Sequence, residues 1–289
     1  MCGIIGIFGD DPDVVKKASL LLEHRGPDDH GLFVDKFFGI GLGHTRLSIL
    51  DTSSHGHQPM LSKDGKVVLV FNGEIYNFRE LRDTLKEKNY KFDGESDSEV
   101  LLCLYLLEGK DFLSKLNGIF ALAIWDSRDK SLFIARDGLG VKPLYYAASN
   151  NSFSFSSEIK ALLQLSSIEK KIDEESINRY LSFLWCPGKG TPIKSVCKLL
   201  PGEAMIIKDG IVKNRWIWYQ LPVFTGILPD LCKKKSLSGV TEYLRQAVHR
   251  QMVSDVPLGA FLSGGLDSSS IVAFAREMNP DLRCFTIDI

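Results

Sequence analysis

Apolar positions recur with two periods along this chain, and the change between them divides it. Residues 3–9, Gly-Ile-Ile-Gly-Ile-Phe-Gly, form a short apolar run with β-branched residues and glycines, which predicts a buried strand. Asp11 before Pro12 marks a helix start. Val14, Ala18 and Leu21 give that helix one apolar face before Gly26-Pro27 stops it. Residues 38–50 alternate loosely, and the continuous run 67–71 predicts a buried strand leading directly into Asn72-Gly73-Glu74. Two helices come next, started by Asn77 with Glu80 and by Ser96 with Glu99, the spacing of a capping box. Leu81 and Leu85 face inward on the first; Val100, Leu104 and Leu107 do so on the second. From Gly118 the period returns to that of strands, over residues 119–125, 132–136, 144–147 and 153–156. Asp209-Gly210 joins residues 204–208 and 211–218 as a tight hairpin.

Residues 221–237 lack apolar periodicity and carry Lys233-Lys234-Lys235, which predicts a linker. Beyond it, Val240, Leu244, Ala247 and Gln251 share one side of a helix. A strand over 256–262, the tight loop Ser263-Gly264-Gly265, a helix over 266–278 and a strand over 283–287 then spell a βαβ unit. A parallel sheet needs more strands than this, so the second domain reads as incomplete. The expected fold class is therefore α+β: a layered domain of two antiparallel sheets between helices over 2–220, then the beginning of an α/β domain over 238–289.

Composition adds exclusions. The 289 residues, 44% hydrophobic and 25% charged, suffice for about two domains. A net charge of −1 gives no broad field for nucleic acid or an anionic membrane surface. No apolar run approaches the roughly 20 residues of a membrane span, and no secretory signal opens the chain. The six cysteines form no CxxC pair, which argues against a zinc site and for a reduced, cytoplasmic protein.

Candidate chemistry begins at Met1-Cys2-Gly3. With Met1 removed, Cys2 would carry a thiol of reference pKa about 8.5 and an α-amine of about 7.7–8.0 on one Cα. One residue would hold both a nucleophile and the base that takes its proton. His24-Arg25-Gly26-Pro27-Asp28, Arg46-Leu47-Ser48-Ile49, Phe71-Asn72-Gly73-Glu74-Ile75-Tyr76-Asn77, Ser96-Asp97-Ser98-Glu99, Ala135-Arg136-Asp137 and Gly140-Val141-Lys142-Pro143-Leu144-Tyr145 accompany it. Together these segments resemble the class II glutamine amidotransferases, which are N-terminal-nucleophile hydrolases built as a four-layer sandwich.

The resemblance implies that Cys2 attacks a glutamine carboxamide, with the Asn72 side chain and the Gly73 N–H as oxyanion donors. Arg46 would hold the glutamine carboxylate, Asp97 with Glu74 its ammonium, and Ile49 would line the pocket. Arg25 and Asp28 would organise loops around Cys2. Asp29 and His30 depart from the aromatic and small residues expected after Gly-Pro-Asp. His24 and His44 are discounted as bases, and His55 and His57 are expected in a solvated loop.

In the second domain, Ser263-Gly264-Gly265-Leu266-Asp267-Ser268-Ser269 between strand and helix can present N–H groups and a positive helix end to an anion. The Walker pattern is absent. The segment resembles the PP-loop of ATP pyrophosphatases, which implies ATP bound by Ser263, Gly264, Gly265, Asp267 and Ser268. Leu262 and Ile287 would lie beside adenine, and Asp267 would hold Mg²⁺. A class II glutaminase followed by a PP-loop resembles the glutamine-hydrolysing asparagine synthetases. That implies ATP- and Mg²⁺-dependent activation of aspartate and transfer of ammonia to it, with no nucleic-acid or membrane partner and a homodimer as one expected state. Amidation of a different carboxylate, as in β-lactam synthetases or surface-sugar amidotransferases, and a non-catalytic glutamine-binding regulator remain alternatives.

Overall fold

In the computed structural model, which describes residues 1–149, 151–223, 226 and 233–287, the amino-terminal apolar run becomes β1 (Gly3–Phe8). Next come α1 (Val15–Leu20), β2 (Asp29–Asp35), β3 (Ile40–Arg46), β4 (Met60–Leu61), β5 (Val67–Ile75), α2 (Phe78–Glu87) and α3 (Asp97–Glu108). The unit continues through β6 (Gly118–Asp126), β7 (Ser131–Arg136), β8 (Tyr145–Ser149), β9 (Ser152–Ser156), α4 (Ile159–Leu162), α5 (Glu174–Phe183), β10 (Cys197–Lys198), β11 (Glu203–Lys208) and β12 (Ile211–Ile217). These strands build two six-stranded sheets, ordered β10-β8-β9-β1-β3-β2 and β12-β11-β7-β6-β5-β4, with antiparallel pairing throughout.

Alternation along β1 explains the layers, because successive side chains leave opposite faces of a strand. Ile4 and Phe8 enter a core shared with Val68, Val70, Trp125 and Ile134 of the other sheet. Ile5 and Ile7 point the other way, against Val15, Ala18, Leu22, Ala161 and Leu162. Gly6 lies on the inter-sheet face, where a Cβ would sit 2.1 Å from the Phe155 ring. With α3 covering the second sheet, the order is helix, sheet, sheet, helix.

Several local expectations shift. Val15, Ala18, Ser19 and Leu22 are fully buried, Val14 packs against them partly buried, and Leu21 is half-buried, because a 3₁₀ turn over Pro12–Val14 opens the first helix and rotates the α-helical turns after it. Asn77 does not cap α2; its amide donates to the Lys115 carbonyl at 2.9 Å and its oxygen accepts from Asn117 N–H at 2.9 Å. The buried positions of α2 are Phe78, Arg82 and Leu85, and the polar identity of Arg82 hides it from any apolar count. Arg82 pairs with Glu95 at 3.1 Å and stacks 4.4 Å over Phe92. Leu107 is exposed, whereas the run from Val100 to Tyr105 is buried all round. Strand β2, rich in charged residues at both ends, was not legible as a strand.

Residues 222–289 form a second compact unit. It contains α6 (Lys233–Gln251), β13 (Gly259–Phe261), α7 (Leu266–Met278) and β14 (Arg283–Phe285). Residues 233–237, expected in the linker, are the first turns of α6, since lysine is a good helix former even without an apolar face. Strands β13 and β14 pair in parallel around a small core of Val248, Ala275 and Leu282. Among the described residues, no helix is long and apolar enough to cross a membrane.

Candidate active site

Cys2 stands at the head of β1, beside the turn that leaves β3. Its thiol accepts from the Leu47 N–H at 3.4 Å and donates toward the Leu47 carbonyl at 3.7 Å. Burial pushes the thiol above its ordinary pKa, opposed by the Leu47 backbone bond. The Cys2 carbonyl accepts from Arg25 Nε at 2.9 Å, and Arg25 is itself held by Glu158 at 3.0 Å. Asp28 accepts from Ser48 N–H at 2.8 Å, tying the Gly-Pro-Asp turn to the loop that carries Leu47. Arg25 and Asp28 thus brace the segment around Cys2 from two sides.

Asn72 and Gly73, the expected oxyanion donors, lie inside a strand. Instead of ending at Phe71, β5 runs on through Asn72 and Gly73 to Ile75, paired with β6 along its whole length. Gly73 sits opposite Phe120, whose N–H and C=O both turn to Asp137 on the other side. Gly73 therefore directs its own N–H away from β6, off the free edge of β5. On that edge the Phe71 N–H is taken by the Gln58 side chain at 2.6 Å and the Ile75 N–H by Asp97 at 2.9 Å. Between them the Gly73 N–H has no partner among the described residues. A Cβ on Gly73 would lie 2.3 Å from the Ile119 carbonyl, so the glycine serves the approach of β6. The Asn72 side chain is buried, and neither its nitrogen nor its oxygen has a protein partner among the described residues. Such a group costs about 1–3 kcal/mol and stays in a fold only when something else uses it.

Cys2, Arg46, Ile49, Gly73, Glu74 and Asp97 line one cavity of about 30 Å³. Asp97 opens α3 behind the Ser96 cap and is buried. Burial, then mutual repulsion, lifts the Glu74 carboxyl above its usual range; burial does the same to Asp97 against the Ile75 and Ser98 hydrogen bonds. Arg46 spends its guanidinium on the carbonyls of Ser53 at 2.9 Å, Leu50 at 3.1 Å and Asp51. A glutamine carboxylate would have to exchange with those bonds.

Two contributors were not assigned from sequence, although both lie in the motifs that carry the resemblance. Asp137 is buried and accepts from the N–H groups of Phe120, Leu139, Val141 and Lys142 at 2.9–3.2 Å, which fixes the turn before β8. That turn sinks Lys142, whose ammonium is lowered by burial while Glu74 and Cys2 oppose the shift. A lone lysine in the otherwise apolar run Gly138-Leu139-Gly140-Val141-Lys142-Pro143-Leu144 was the available signal. The discounted histidines each have a partner of their own. His44 donates from Nε2 to the Phe71 carbonyl at 3.0 Å, and burial holds its pKa down at about 3. His24 pairs with Glu158, His55 with Ser53, and His57 with Asp29 at 2.6 Å. Among the described residues no group of three or more His, Cys, Asp or Glu side chains is poised for a metal.

In the second unit, Leu262 N–H donates to Phe285 O at 2.8 Å, so Leu262 and Ile287 flank the carboxyl ends of adjacent parallel strands. Gly264 has φ +77, and a Cβ there would meet nothing within 4 Å. Helix α7 begins at Leu266 with no side-chain cap, and Ser263 and Ser268 hydroxyls lie 3.0 Å apart. Uncapped N–H groups behind an open glycine turn fit a phosphate group. Asp267 is the single carboxylate in that turn, fewer ligands than a cation needs without phosphate oxygens.

Residues 1–218 match the family described as Glutamine amidotransferase domain, and residues 239–289 match Asparagine synthase. The glutamine-hydrolyzing asparagine synthetase 1 of Bacillus subtilis (strain 168) is 38% identical over 296 residues, covering 99% of this chain and 46% of that protein. Synthetase 3 of the same organism is 36% identical over 305 residues, covering 100% of this chain and 48% of its own length. The chain thus spans about half the length of the curated relatives it matches. In fold it is similar to the glutamine phosphoribosylpyrophosphate amidotransferase of B. subtilis, with TM-score 0.57 at 19% identity over 99% of this chain and 65% of that one.

Proposed function

Because the chain belongs, through residues 1–218, to the glutamine amidotransferase domain family, we propose that it hydrolyses glutamine to glutamate and ammonia, with Cys2 as nucleophile once Met1 is removed. The observation that carries this reading is the unpartnered Gly73 N–H beside the unpartnered Asn72 amide, on the strand that faces Cys2 across one cavity. The freed α-amine of Cys2 takes the thiol proton, and sulfur attacks the side-chain carbonyl carbon of glutamine. Gly73 and Asn72 donate to the oxygen that becomes negative, an interaction worth about 3–4 kcal/mol per donor. The ammonium formed on Cys2 returns its proton to the departing nitrogen, which leaves as ammonia. Water then attacks the thioester, releasing glutamate and restoring the thiol. Arg46 orients the substrate carboxylate, and Asp97 with Glu74 its ammonium; pairing with that cation favours their ionised forms despite burial.

The match over residues 239–289 and the names of the relatives support an ATP-dependent amidation as the fate of the ammonia, with aspartate as acceptor and asparagine as product. ATP would supply activation of the acceptor carboxylate by adenylation; the loop from Ser263 to Ser268 would hold its phosphates, and Asp267 would hold Mg²⁺. The free cysteines among the described residues suit a cytoplasmic setting.

The test combines mass spectrometry of the purified amino terminus with glutamate release by wild-type protein and Cys2→Ala. Loss of Met1 and abolition of hydrolysis in the variant are expected. Hydrolysis that survives Cys2→Ala overturns the reading. The acceptor is read from the products formed by the protein with ATP and candidate carboxylates.

A further inference from the structure

The Arg46 side chain is enclosed by a turn of the protein, and that turn is tied to the neighbouring strand. Arg46 ends β3 and lies opposite Asp29 in the pairing of β2 with β3, so the two side chains leave the same face of the sheet. Gly31, two positions further along β2, shares that face. Beyond Arg46 the chain loops out and returns through a 3₁₀ turn over Ser54–Gly56, which ends at His57. The Ser53 carbonyl accepts from Arg46 Nη1 at 2.9 Å and from the Gly56 N–H at 3.3 Å; the His57 N–H donates to the Ser54 carbonyl at 3.1 Å. Gly56 lies against the guanidinium, where a Cβ would overlap it. The His57 ring then crosses to β2. Its Nδ1 is 2.6 Å from Asp29 Oδ2, and a Cβ on Gly31 would meet the ring at 2.8 Å.

These contacts close a circle. The sheet joins Arg46 to Asp29, the ion pair joins Asp29 to His57, one turn joins His57 to Ser53, and the Ser53 carbonyl returns to the Arg46 side chain. The flanks of the loop are held elsewhere: Asp51 accepts from the Glu95 N–H at 2.6 Å, and Gln58 accepts from the Phe71 N–H at 2.6 Å. Neither Asp29 nor His57 lines the cavity that holds Cys2. We propose that Asp29 and His57 are positioning residues for glutamine binding: their pair seats the 54–57 turn on β2, keeps the Ser53 carbonyl on Arg46, and so restrains the affinity for the substrate carboxylate. Ser53 takes Nη1, one of the nitrogens that a bidentate carboxylate needs. Unseating the turn releases that nitrogen, so breaking the pair strengthens glutamine binding, the reverse of ordinary damage near a site. The effect on glutamine rests on the glutaminase reading above; the seating of Arg46 does not.

Steady-state glutamine hydrolysis is measured for wild type, Asp29→Asn, His57→Ala and the double variant. Each single substitution should lower KM by about 2–5-fold, the range that a half-exposed ion pair supports, with kcat within about 2-fold of wild type. Asp29→Asn also removes a negative charge beside Arg46, which by itself favours a carboxylate. His57→Ala leaves that charge in place and by charge alone would raise KM, so its sign decides between the two causes. The double variant should lower KM no further than either single, as for two residues acting through one contact. His57→Asn, whose amide nitrogen takes the place of Nδ1, should restore the wild-type KM. Phenylglyoxal, a reagent for guanidinium groups, reads the seating directly by peptide mapping. Arg46 should react about 2-fold or more faster in Asp29→Asn and His57→Ala. Arg136, held by the carbonyls of Gly140, Lys142 and Leu199, should react at the wild-type rate. An unchanged or raised KM in His57→Ala, or additive single effects, overturns the role in binding; Arg46 reactivity equal to wild type overturns the seating. A wild-type chain without glutamine hydrolysis would reject the glutaminase reading and with it the role in binding, while the Arg46 reactivities still decide the seating.

Discussion

Arg25 Nε donates to the carbonyl of Cys2 at 2.9 Å, so the residue proposed to carry the nucleophile is oriented by a guanidinium 23 positions further along the chain. The second anchor of that guanidinium, Glu158, comes from the turn after β9. Lysine would keep the charge and lose the planar fork that spans the two acceptors. Arg25→Lys is expected to lower kcat for glutamine hydrolysis by about 10–100-fold, the order that comes from misplacing a reacting group by about 1 Å. Steady-state glutamate release checks this, with thermal melts to show that the fold persists.

Asn72→Ala separates activity from stability. On the proposed mechanism the substitution removes one oxyanion donor, and kcat should fall about 10²–10³-fold. It also removes buried polar atoms that have no protein partner among the described residues, so Tm should be unchanged or higher. A large fall in Tm together with kcat would mean that the Asn72 amide holds the fold instead.

Gly73→Ala should act on the sheet. The new Cβ would meet the Ile119 carbonyl at 2.3 Å and Phe120 Cα at 2.7 Å, both backbone atoms that cannot turn aside. A loss of about 1–3 kcal/mol is expected, as for overpacking. Denaturant midpoints measure it.

The pH dependence of stability is governed in part by Glu74. Its carboxyl is raised from 4.5 to about 8 by burial and then by Asp97, so the folded chain keeps a proton that the unfolded chain gives up. Stability from this group is present below pH 4.5 and is lost as pH rises toward about 8. Glu74→Gln should therefore match wild type in Tm at the acid end and exceed it increasingly through that window. The same variant should bind glutamine more weakly, since the partner of the substrate ammonium has lost its charge.

Much of this was legible in the sequence, and the failures have local causes. Helix α7 runs from Leu266 to Met278 as its pattern predicts, because Gly265 precedes it and Asn279 ends it. Cys2, Arg46, Ile49, Gly73, Glu74 and Asp97 do converge, having been recognised through short motifs whose residue types suit one chemistry. What the pattern could not give is direction. The apolar run ends at Phe71, yet tertiary pairing with β6 keeps the chain extended through Asn72 and Gly73 to Ile75. Asn77 has the spacing of a cap, yet its amide finds better partners at Lys115 and Asn117. Asp137 and Lys142 stood in full view without roles, since the carboxylate gathers N–H groups from two segments and the ammonium is placed by that turn.

Asp137→Ala tests that last relationship. Four N–H groups would lose their acceptor, each worth about 1–3 kcal/mol if left unsatisfied. Tm should fall by several degrees or more, and kcat should fall with it as Lys142 leaves its place. A variant with normal Tm would show that water replaces the carboxylate.

Arg46 carries a consequence for how substrate arrives. The carbonyls of Leu50, Asp51 and Ser53 already coordinate its guanidinium, in the manner of an internal ligand. Glutamine would enter by trading places with a piece of the protein's own backbone. Its affinity is then a contest between two acceptors for one cation, and a change that loosens the 50–53 loop should tighten the grip on substrate rather than relax it.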